Sequence, residues 1–199
     1  MAGLGVASLV QSGFDLHWVA KSQALEVGLI LLAVPFFLQL IASVLAYLAR
    51  DGAGGAVIGV LATSWLAIAL VHIAAGGHRS GALGLMLLAS AGMIGFSTVV
   101  VSATKPLPAA VFFLAATRFA LGGIYQLGAG TGWRDAAGIV GLVVLAGAAY
   151  CALAFELEGQ RSRPVLPTFR TGQGRAAVLG NTEAAIDDVV HSAGVRQTT

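Results

Sequence analysis

The chain has 199 residues, of which 57% are hydrophobic and only 10% are charged, and its formal net charge is +2. A soluble domain carries about 25% charged residues, so this composition excludes an ordinary soluble protein, and the small net charge does not favour nucleic acid as a partner. Stretches without Asp, Glu, Lys or Arg lie at residues 27–49, 52–78, 80–104 and 136–155. Each is long enough to cross a bilayer as a helix of about 20 residues. The sequence therefore predicts an all-α, polytopic membrane protein whose surroundings are a lipid bilayer.

Six membrane-spanning helices are predicted along the chain. They cover about residues 3–20, 25–49, 54–75, 81–103, 106–127 and 136–157. Asp15 and His17 interrupt the end of the first span, which makes it the least regular of the six. Pro35 removes one backbone hydrogen bond from the second span and predicts a kink there. Pro106 opens the fifth span, because proline is tolerated in the first turn of a helix.

The chain is expected to divide into two parts. Residues 1–158 would form the six-transmembrane-helix bundle, and residues 159–199 a polar cytoplasmic tail. The tail is rich in Pro, Gly and Arg and cannot bury a core, so we expect it to be flexible and largely disordered. One short helix is expected within it, at about residues 183–191. The opening residues lack the positive start of a signal peptide, so we expect them to belong to the mature protein.

The lysines and arginines of the loops predict an orientation. One side of the membrane would carry Arg50, Lys105, Arg161, Arg163, Arg170 and Arg175, and the other side would carry Lys21, Arg79 and Arg134. Because short, positively charged loops stay in the cytoplasm, both termini are expected there. The sequence thus predicts a multi-pass protein of the cell's inner or plasma membrane.

Arg118 is the only charged residue in an otherwise apolar or small stretch, residues 112–123. A charged side chain near the middle of a membrane costs at least about 2.5 kcal/mol, so it must face protein or water. Three explanations stay open: an ion pair with Asp15 or Glu26, a water-filled vestibule that attracts an anionic substrate, or a side chain that extends to the outer interface. A guanidinium pairs with a carboxylate through two hydrogen bonds, so the second explanation favours carboxylate anions.

The other polar residues of the spans form no catalytic pattern. The sequence has no Gly-rich phosphate loop, no Cys/His metal spacing and no serine beside a base, so we expect no enzyme, no metal and no cofactor. His17 and His72 both approach the outer face, without the facing pairs that haem ligation requires. Cys151 is the single cysteine and has no disulfide partner. Gln39 is costly to bury unpaired, and helix–helix bonding and pore lining are equally open for it.

The end of the sixth span carries the most specific pattern. Residues 150–167 read "YCALAFELEGQRSRPVLP". This stretch resembles the closing segment of the acetate uptake transporter family, the YaaH-like acetate/succinate permeases, in which a tyrosine is followed at fixed spacing by Gln, Arg and Val-Leu-Pro. "FFLQLIASVLAYLARDGAGG" is similar to the family's second span, with Gln39 and Tyr47 at matching places, and "VFFLAATRFALGGIYQ" is similar to its fifth. "DLHW", residues 15–18, is similar to the family's Asn-Leu-His-Asn.

The resemblance also implies where a substrate would pass. The family's pathway is narrowest at a Phe, a Tyr and a Leu, whose positions correspond here to Leu9, Leu61 and Ala115. The small Ala115 would widen the pathway, and Arg118 stands where the family has an apolar residue. The family's opening Asn-Pro-Ala-Pro-Leu-Gly is reduced here to "AGLGV". The expected substrate pathway therefore comprises Arg118, Ala115, Leu61, Leu9 and Gln39, on the family's scaffold with altered chemistry.

The function that this resemblance implies is transport. We expect an inner-membrane transporter or channel, assembled as a homo-oligomer, for small monocarboxylate or dicarboxylate anions such as acetate and succinate. The alternative is a non-transporting structural or partner-binding membrane protein on the same fold, with its tail as the binding segment.

Overall fold

A computed structural model describes residues 1–161 and 165–172, and these residues form helices and no strand. The helices are α1 (Ala2–Asp15), α2 (Lys21–Leu48), α3 (Gly52–Ala75), α4 (Gly81–Ser102), α5 (Pro106–Gln126) and α6 (Thr131–Arg161). The last five are each long and apolar enough to cross a membrane. The all-α, six-helix membrane fold predicted from the sequence is confirmed.

Helix α1 is shorter than the span predicted at residues 3–20. It has 14 residues and a length of about 21 Å, less than the about 30 Å of a hydrocarbon core. A turn ends it, in which the amide of Trp18 donates to the carbonyl of Gly13 at 2.8 Å and His17 has a left-handed φ of 62°. Most of α1 is buried, mainly against α6 and α2. Because protein and not lipid surrounds most of α1, the helix does not need the length of a membrane span.

Helix α2 changes its hydrogen-bonding pattern around Pro35. Its segments are a 3₁₀ turn at Lys21–Gln23, an α-helix at Ala24–Leu31, a π turn at Leu32–Phe36 and an α-helix at Phe37–Leu48. Proline has no amide hydrogen and its ring crowds the preceding turn, and the extra residue of the π turn accommodates both effects. The irregularity predicted at Pro35 is thus present as a π turn.

Helix α6 is longer at both ends than the predicted span 136–157. Residues 131–135, expected to lie in a turn, are helical, and Arg134 turns inward to donate to the carbonyl of Phe14. At the other end the helix continues to Arg161. The charged residues at the start of α6 therefore belong to the bundle and not to a loop.

The segment after α6 folds back onto the same end of the bundle. The amide of Thr171 donates to the carbonyl of Thr104 at 3.2 Å, and the hydroxyl of Tyr150 donates to the carbonyl of Pro167 at 3.1 Å. The tail helix predicted at residues 183–191 lies outside the described residues. The division of the chain at residue 158 stays a prediction.

The outside of the bundle is apolar, as lipid contact requires. Leu48 is 76% exposed, and Phe96 and Val99 are each 72% exposed. Inside, Trp65 on α3 packs edge-to-face against Phe119 on α5, with ring centres 5.2 Å apart. Both side chains are buried, with Trp65 1% and Phe119 2% exposed.

Helices α4 and α5 cross closely through a pair of glycines. A Cβ at Gly84 would lie 3.0 Å from the carbonyl oxygen of Gly123, and a Cβ at Gly123 would lie 2.9 Å from the carbonyl oxygen of Gly84. Small residues allow helix backbones to approach in this way within a membrane. Their role at this crossing is packing within one subunit.

We expect Gly123→Ala to destabilise the protein and the neighbouring Gly122→Ala not to. The new Cβ would meet backbone at 2.9 Å at position 123, whereas the nearest atom lies at 3.8 Å at position 122. Overpacking costs about 1–3 kcal/mol, while Gly→Ala in an open helical position gains up to about 1 kcal/mol. Thermal unfolding in detergent measures both, and an equal or higher midpoint for Gly123→Ala would contradict the close crossing.

Candidate functional site

The charge of Arg118 is balanced inside the bundle by Asp15. Arg118 lies on α5 and is 3% exposed. Its Nη2 donates to Oδ2 of Asp15, at the end of α1, at 3.0 Å. Glu26, the other acid considered from the sequence, is exposed on α2. The ion pair with Asp15, one of the three explanations for Arg118, is present in the structure.

Further side chains gather around the Asp15 carboxylate. Nε2 of Gln11 donates to Oδ1 of Asp15 at 3.0 Å, and Oε1 of Gln11 lies 3.0 Å from Nε2 of His72 on α3. Nε of Arg134 on α6 lies 3.9 Å from Oδ1 of Asp15. We call these five residues, Gln11, Asp15, His72, Arg118 and Arg134, the arginine cluster. Its two arginines and one aspartate leave an excess of positive charge.

The guanidinium of Arg118 lies between the ring of Trp65 and Gly141 of α6. Its Cζ lies 5.1 Å from the ring centre of Trp65, within the range of a cation–π contact. On the α6 side, a Cβ at Gly141 would lie 2.5 Å from Nε of Arg118 and 2.1 Å from Oγ of Ser12. The absent side chain of Gly141 thus makes the space that the ion pair occupies.

Two cavities lie at opposite ends of the bundle. The larger, of about 280 Å³, is lined by Gln39, Leu61, Phe112 and Phe155, with Asp51, Lys105 and Arg170 among its polar residues. We call it the Gln39 cavity. The smaller, of about 30 Å³, is lined by the arginine cluster together with Phe119 and Tyr125. Trp65 lies one turn after Leu61, which lines the larger cavity, and packs against Phe119, which lines the smaller one.

Ion pairs and unpartnered polar groups, namely the amide of Gln39 and Nε of Arg170, supply the polarity of the Gln39 cavity. Lys105 is paired with Asp51, and Nη2 of Arg170 lies 2.7 Å from Oε1 of Glu158. Gln39 is 4% exposed, and neither Nε2 nor Oε1 of its amide has a hydrogen-bond partner among the described residues. An unmet buried polar group costs about 1–3 kcal/mol. The interior of the cavity therefore offers a free donor and a free acceptor.

The structure brings some of the predicted pathway residues together. Gln39 and Leu61 line the same cavity, and Arg118 lies beside the other one. Ala115 is 1% exposed and precedes Arg118 by one turn of α5, so both residues face the interior. Gln39 and Leu61 thus lie at one cavity and Arg118 at the other, with Ala115 buried one turn before Arg118.

Leu9, the fifth predicted pathway residue, lies on the outside of the bundle and not in its interior. It is 45% exposed and lines a groove on the outside of the bundle, between α1 and α2. Ala7 and Ser8 are fully buried in its place. Consecutive residues of a helix point about 100° apart, so a correspondence that is off by one position moves a side chain from the interior to the surface.

Asp15 was named from the sequence as a possible partner of Arg118, but other residues of the two cavities, such as Gln11 and Arg134, were not predicted as site residues. Gln11 and Asp15 are spaced by four residues, which places them on one face of α1 and is a signal that the sequence offers. The contacts of His72 and Arg134 have no such signal, because they join helices far apart in the chain. Within residues 1–161 and 165–172, no group of three His, Cys, Asp or Glu side chains is placed to hold a metal ion.

We expect Arg118→Leu to be much less stable than the double variant Asp15→Asn/Arg118→Leu. The single change leaves the buried Asp15 carboxylate without its 3.0 Å partner, which costs about 3–5 kcal/mol, whereas replacing both charges of a buried pair is often neutral. Thermal unfolding of the two variants and of Asp15→Asn completes a double-mutant cycle. Additive losses in the cycle would show that the two charges do not stabilise each other.

Comparison with known proteins identifies the scaffold. No protein-family model and no curated protein sequence matches the chain. Among solved structures, the bacterial acetate channel SatP is similar to it: the chains are 22% identical, the match covers 83% of this chain and 93% of that chain, and the TM-score is 0.72. The scaffold implied by the resemblance to the acetate uptake transporter family is therefore confirmed, and the chain has the fold of the bacterial acetate channel SatP.

Proposed function

We propose that this protein forms a pathway for small carboxylates of the acetate type across a membrane, as a transporter or channel and not as an enzyme. The observation that carries the proposal is a polar interior, approached by one cavity from each end, inside the fold of an acetate channel. In a membrane bundle, polar residues that face the interior mark routes for solutes and ions.

The proposed route begins at the arginine cluster. Its excess positive charge raises the local concentration of anions at this end of the bundle. The route then passes Ala115 and the Trp65–Phe119 pair, and it continues beside Leu61 into the Gln39 cavity. Arg118, Ala115, Leu61 and Gln39 are its proposed pathway residues, and the exposed position of Leu9 leaves that residue outside it.

The size of the permeant would be set at the middle of the route. Ala115 contributes one methyl group to the buried interior, at a position where the resemblance implies a larger leucine. We infer that three- and four-carbon acids, including dicarboxylates such as succinate, pass here in addition to acetate.

The proposed setting is the inner or plasma membrane, with both termini in the cytoplasm. Met1 and Arg170 line the same cavity, so the two ends of the described chain share one end of the bundle, where the positively charged Arg50 and Lys105 also lie. Positively charged loops favour the cytoplasmic side. We also propose a homo-oligomer, in which the apolar grooves of about 360 Å³ and 340 Å³ beside α1 would be covered by a second copy.

One observation favours a second candidate, a membrane protein that does not transport. The cavity at the arginine cluster measures only about 30 Å³, and the Arg118–Asp15 pair occupies the interior beside it. A fold kept for binding a partner would tolerate such a closed interior. The flux measurements that follow separate the two candidates.

We expect Leu61→Trp to block acetate flux. The indole would fill the Gln39 cavity beside Trp65, and a loss of at least about tenfold, equivalent to about 1.4 kcal/mol in barrier height, should follow. Labelled acetate uptake into proteoliposomes, corrected for protein-free liposomes, measures it. Leu70→Trp is the control, because Leu70 is 50% exposed on the same helix. A wild type that does not exceed protein-free liposomes would support the non-transporting candidate.

Ala115→Leu should change selectivity more than it changes acetate flux. The added volume lies at a position 1% exposed, so lactate and succinate uptake should fall more steeply than acetate uptake. Ala110→Leu makes the same change at an exposed position of α5 and should leave all three fluxes unaltered. Equal reductions for the three acids would remove Ala115 from the determinants of size.

A further inference from the structure

The arginine cluster carries one positive charge that its own acid does not balance. Arg118 and Arg134 share the carboxylate of Asp15, which is the one acid among the described residues that line this cavity. Arg118 is 3% exposed, and the side chain of Arg134 is 12% exposed. Because an unbalanced charge is costly inside a membrane bundle, a counter-ion with a single negative charge would stabilise this site.

The charged residues at the rim of the cluster do not supply that counter-ion. Arg79 is exposed and lies over the ring of Tyr125, with its Cζ 4.2 Å from the ring centre. Asp135, whose side chain is 45% exposed, lies 3.9 Å from Nδ1 of His17. These two side chains add one charge of each sign, so they leave the excess positive charge of the cluster unchanged.

Arg118 also has hydrogen-bonding capacity that the protein does not use. A guanidinium carries five N–H groups, and the one hydrogen bond that Arg118 makes to the described residues runs from Nη2 to Oδ2 of Asp15. Its Nε is buried without a hydrogen-bond partner among the same residues. Unmet donors on a buried charged group are especially costly. An acceptor in the cavity that Arg118 lines would therefore find donors available.

His72 does not reduce the excess positive charge in either of its protonation states. Because Nε2 of Gln11 donates to Asp15, Oε1 of Gln11 accepts from Nε2 of His72. Nδ1 of His72, which is buried without a partner among the described residues, is then an acceptor in the neutral ring and a donor in the charged ring. The neutral ring adds no charge, and the charged ring would add a second positive charge.

The size of the cavity limits what can bind there. Its volume of about 30 Å³ is room for about two water molecules. A halide ion such as chloride is a single atom and fits this space, whereas a carboxylate with two or more carbons requires the helices to move apart. Leu83, Leu87 and Phe119 line the cavity with apolar surface, which strengthens the attraction between an ion and a guanidinium.

We propose that the arginine cluster binds one monatomic, monovalent anion, which is chloride in ordinary salt solution, and that Arg118 and Arg134 hold it. With Asp15, this anion makes the cluster neutral. The site goes beyond the proposed carboxylate pathway and does not depend on it, because binding a halide requires no passage across the membrane.

The test is thermal unfolding of the full chain in a non-ionic detergent, in sodium chloride and in sodium gluconate at equal ionic strength. Chloride should raise the midpoint by about 3–6 °C at a tenfold excess over its dissociation constant. Bromide should act in the same way. Sodium acetate should give no more protection than gluconate, and protection by acetate equal to that by chloride would overturn the size limit.

Two variants should lose the difference between chloride and gluconate. Arg134→Gln removes the excess charge, although it also removes a hydrogen bond to the carbonyl of Phe14. Gly122→Val keeps every charge and adds volume at a position that lines the cavity, where a Cβ would meet only Leu87 within 4 Å, at 3.8 Å. Lys21→Gln is the control, because it removes an exposed cation at the same end of the bundle and should keep the difference.

The outcomes separate this site from the proposed function. An equal effect of chloride on the wild type and on both cavity variants would be a general salt effect and would overturn the site. Protection of the wild type and of Lys21→Gln alone, without acetate flux in proteoliposomes, would support the site and overturn the pathway. Acetate flux without protection by chloride or bromide would overturn the site while the pathway stands.

Discussion

A guanidinium held among apolar helices requires an acid within reach, and the position of α1 follows from this requirement. Asp15 ends α1 and lies 3.0 Å from Arg118, and Gln11, one turn earlier, links the carboxylate to α3. A helix with these groups on its inner face cannot turn them toward lipid, where each would lack a partner. Helix α1 is therefore buried between α2 and α6, and its short length is tolerated because protein surrounds most of it.

The features of the fold that the sequence predicts best are those that lipid dictates. Long uncharged stretches must be helices in a bilayer, since all their backbone groups have to bond within the segment, and the predicted bounds of α3, α4 and α5 agree with the structure within a few residues. The errors lie where charged residues adjoin these stretches. Arg134 was assigned to a loop because charges normally end a span, yet it is helical because its side chain bonds to Phe14 and approaches Asp15 inside the bundle.

The candidate site was predictable only in part, for a related reason. Arg118 stands out as a single charge in an apolar stretch, and Asp15 could be named as a partner because both lie near the same end of their spans. The direction of a side chain on α1 is harder to read, since glycine, alanine and serine occur all around that helix and define no polar face. The sequence of α1 therefore offered no check on the family correspondence that assigned Leu9 to the interior, where the structure places Ala7 and Ser8. For Gln39, bonding between helices and pore lining were equally open; in the structure its amide lines a cavity and has no hydrogen-bond partner among residues 1–161 and 165–172.

The two ends of the interior differ in how their charged side chains are balanced. At the arginine cluster, two cations share one carboxylate, so a positive potential reaches the adjoining cavity and attracts anions. In the Gln39 cavity the charged side chains are paired, and among the described residues the amide of Gln39 and Nε of Arg170 are buried without a hydrogen-bond partner. On the proposed route, a small carboxylate would be attracted at the arginine cluster and would find paired charges and unpartnered hydrogen-bonding groups in the Gln39 cavity.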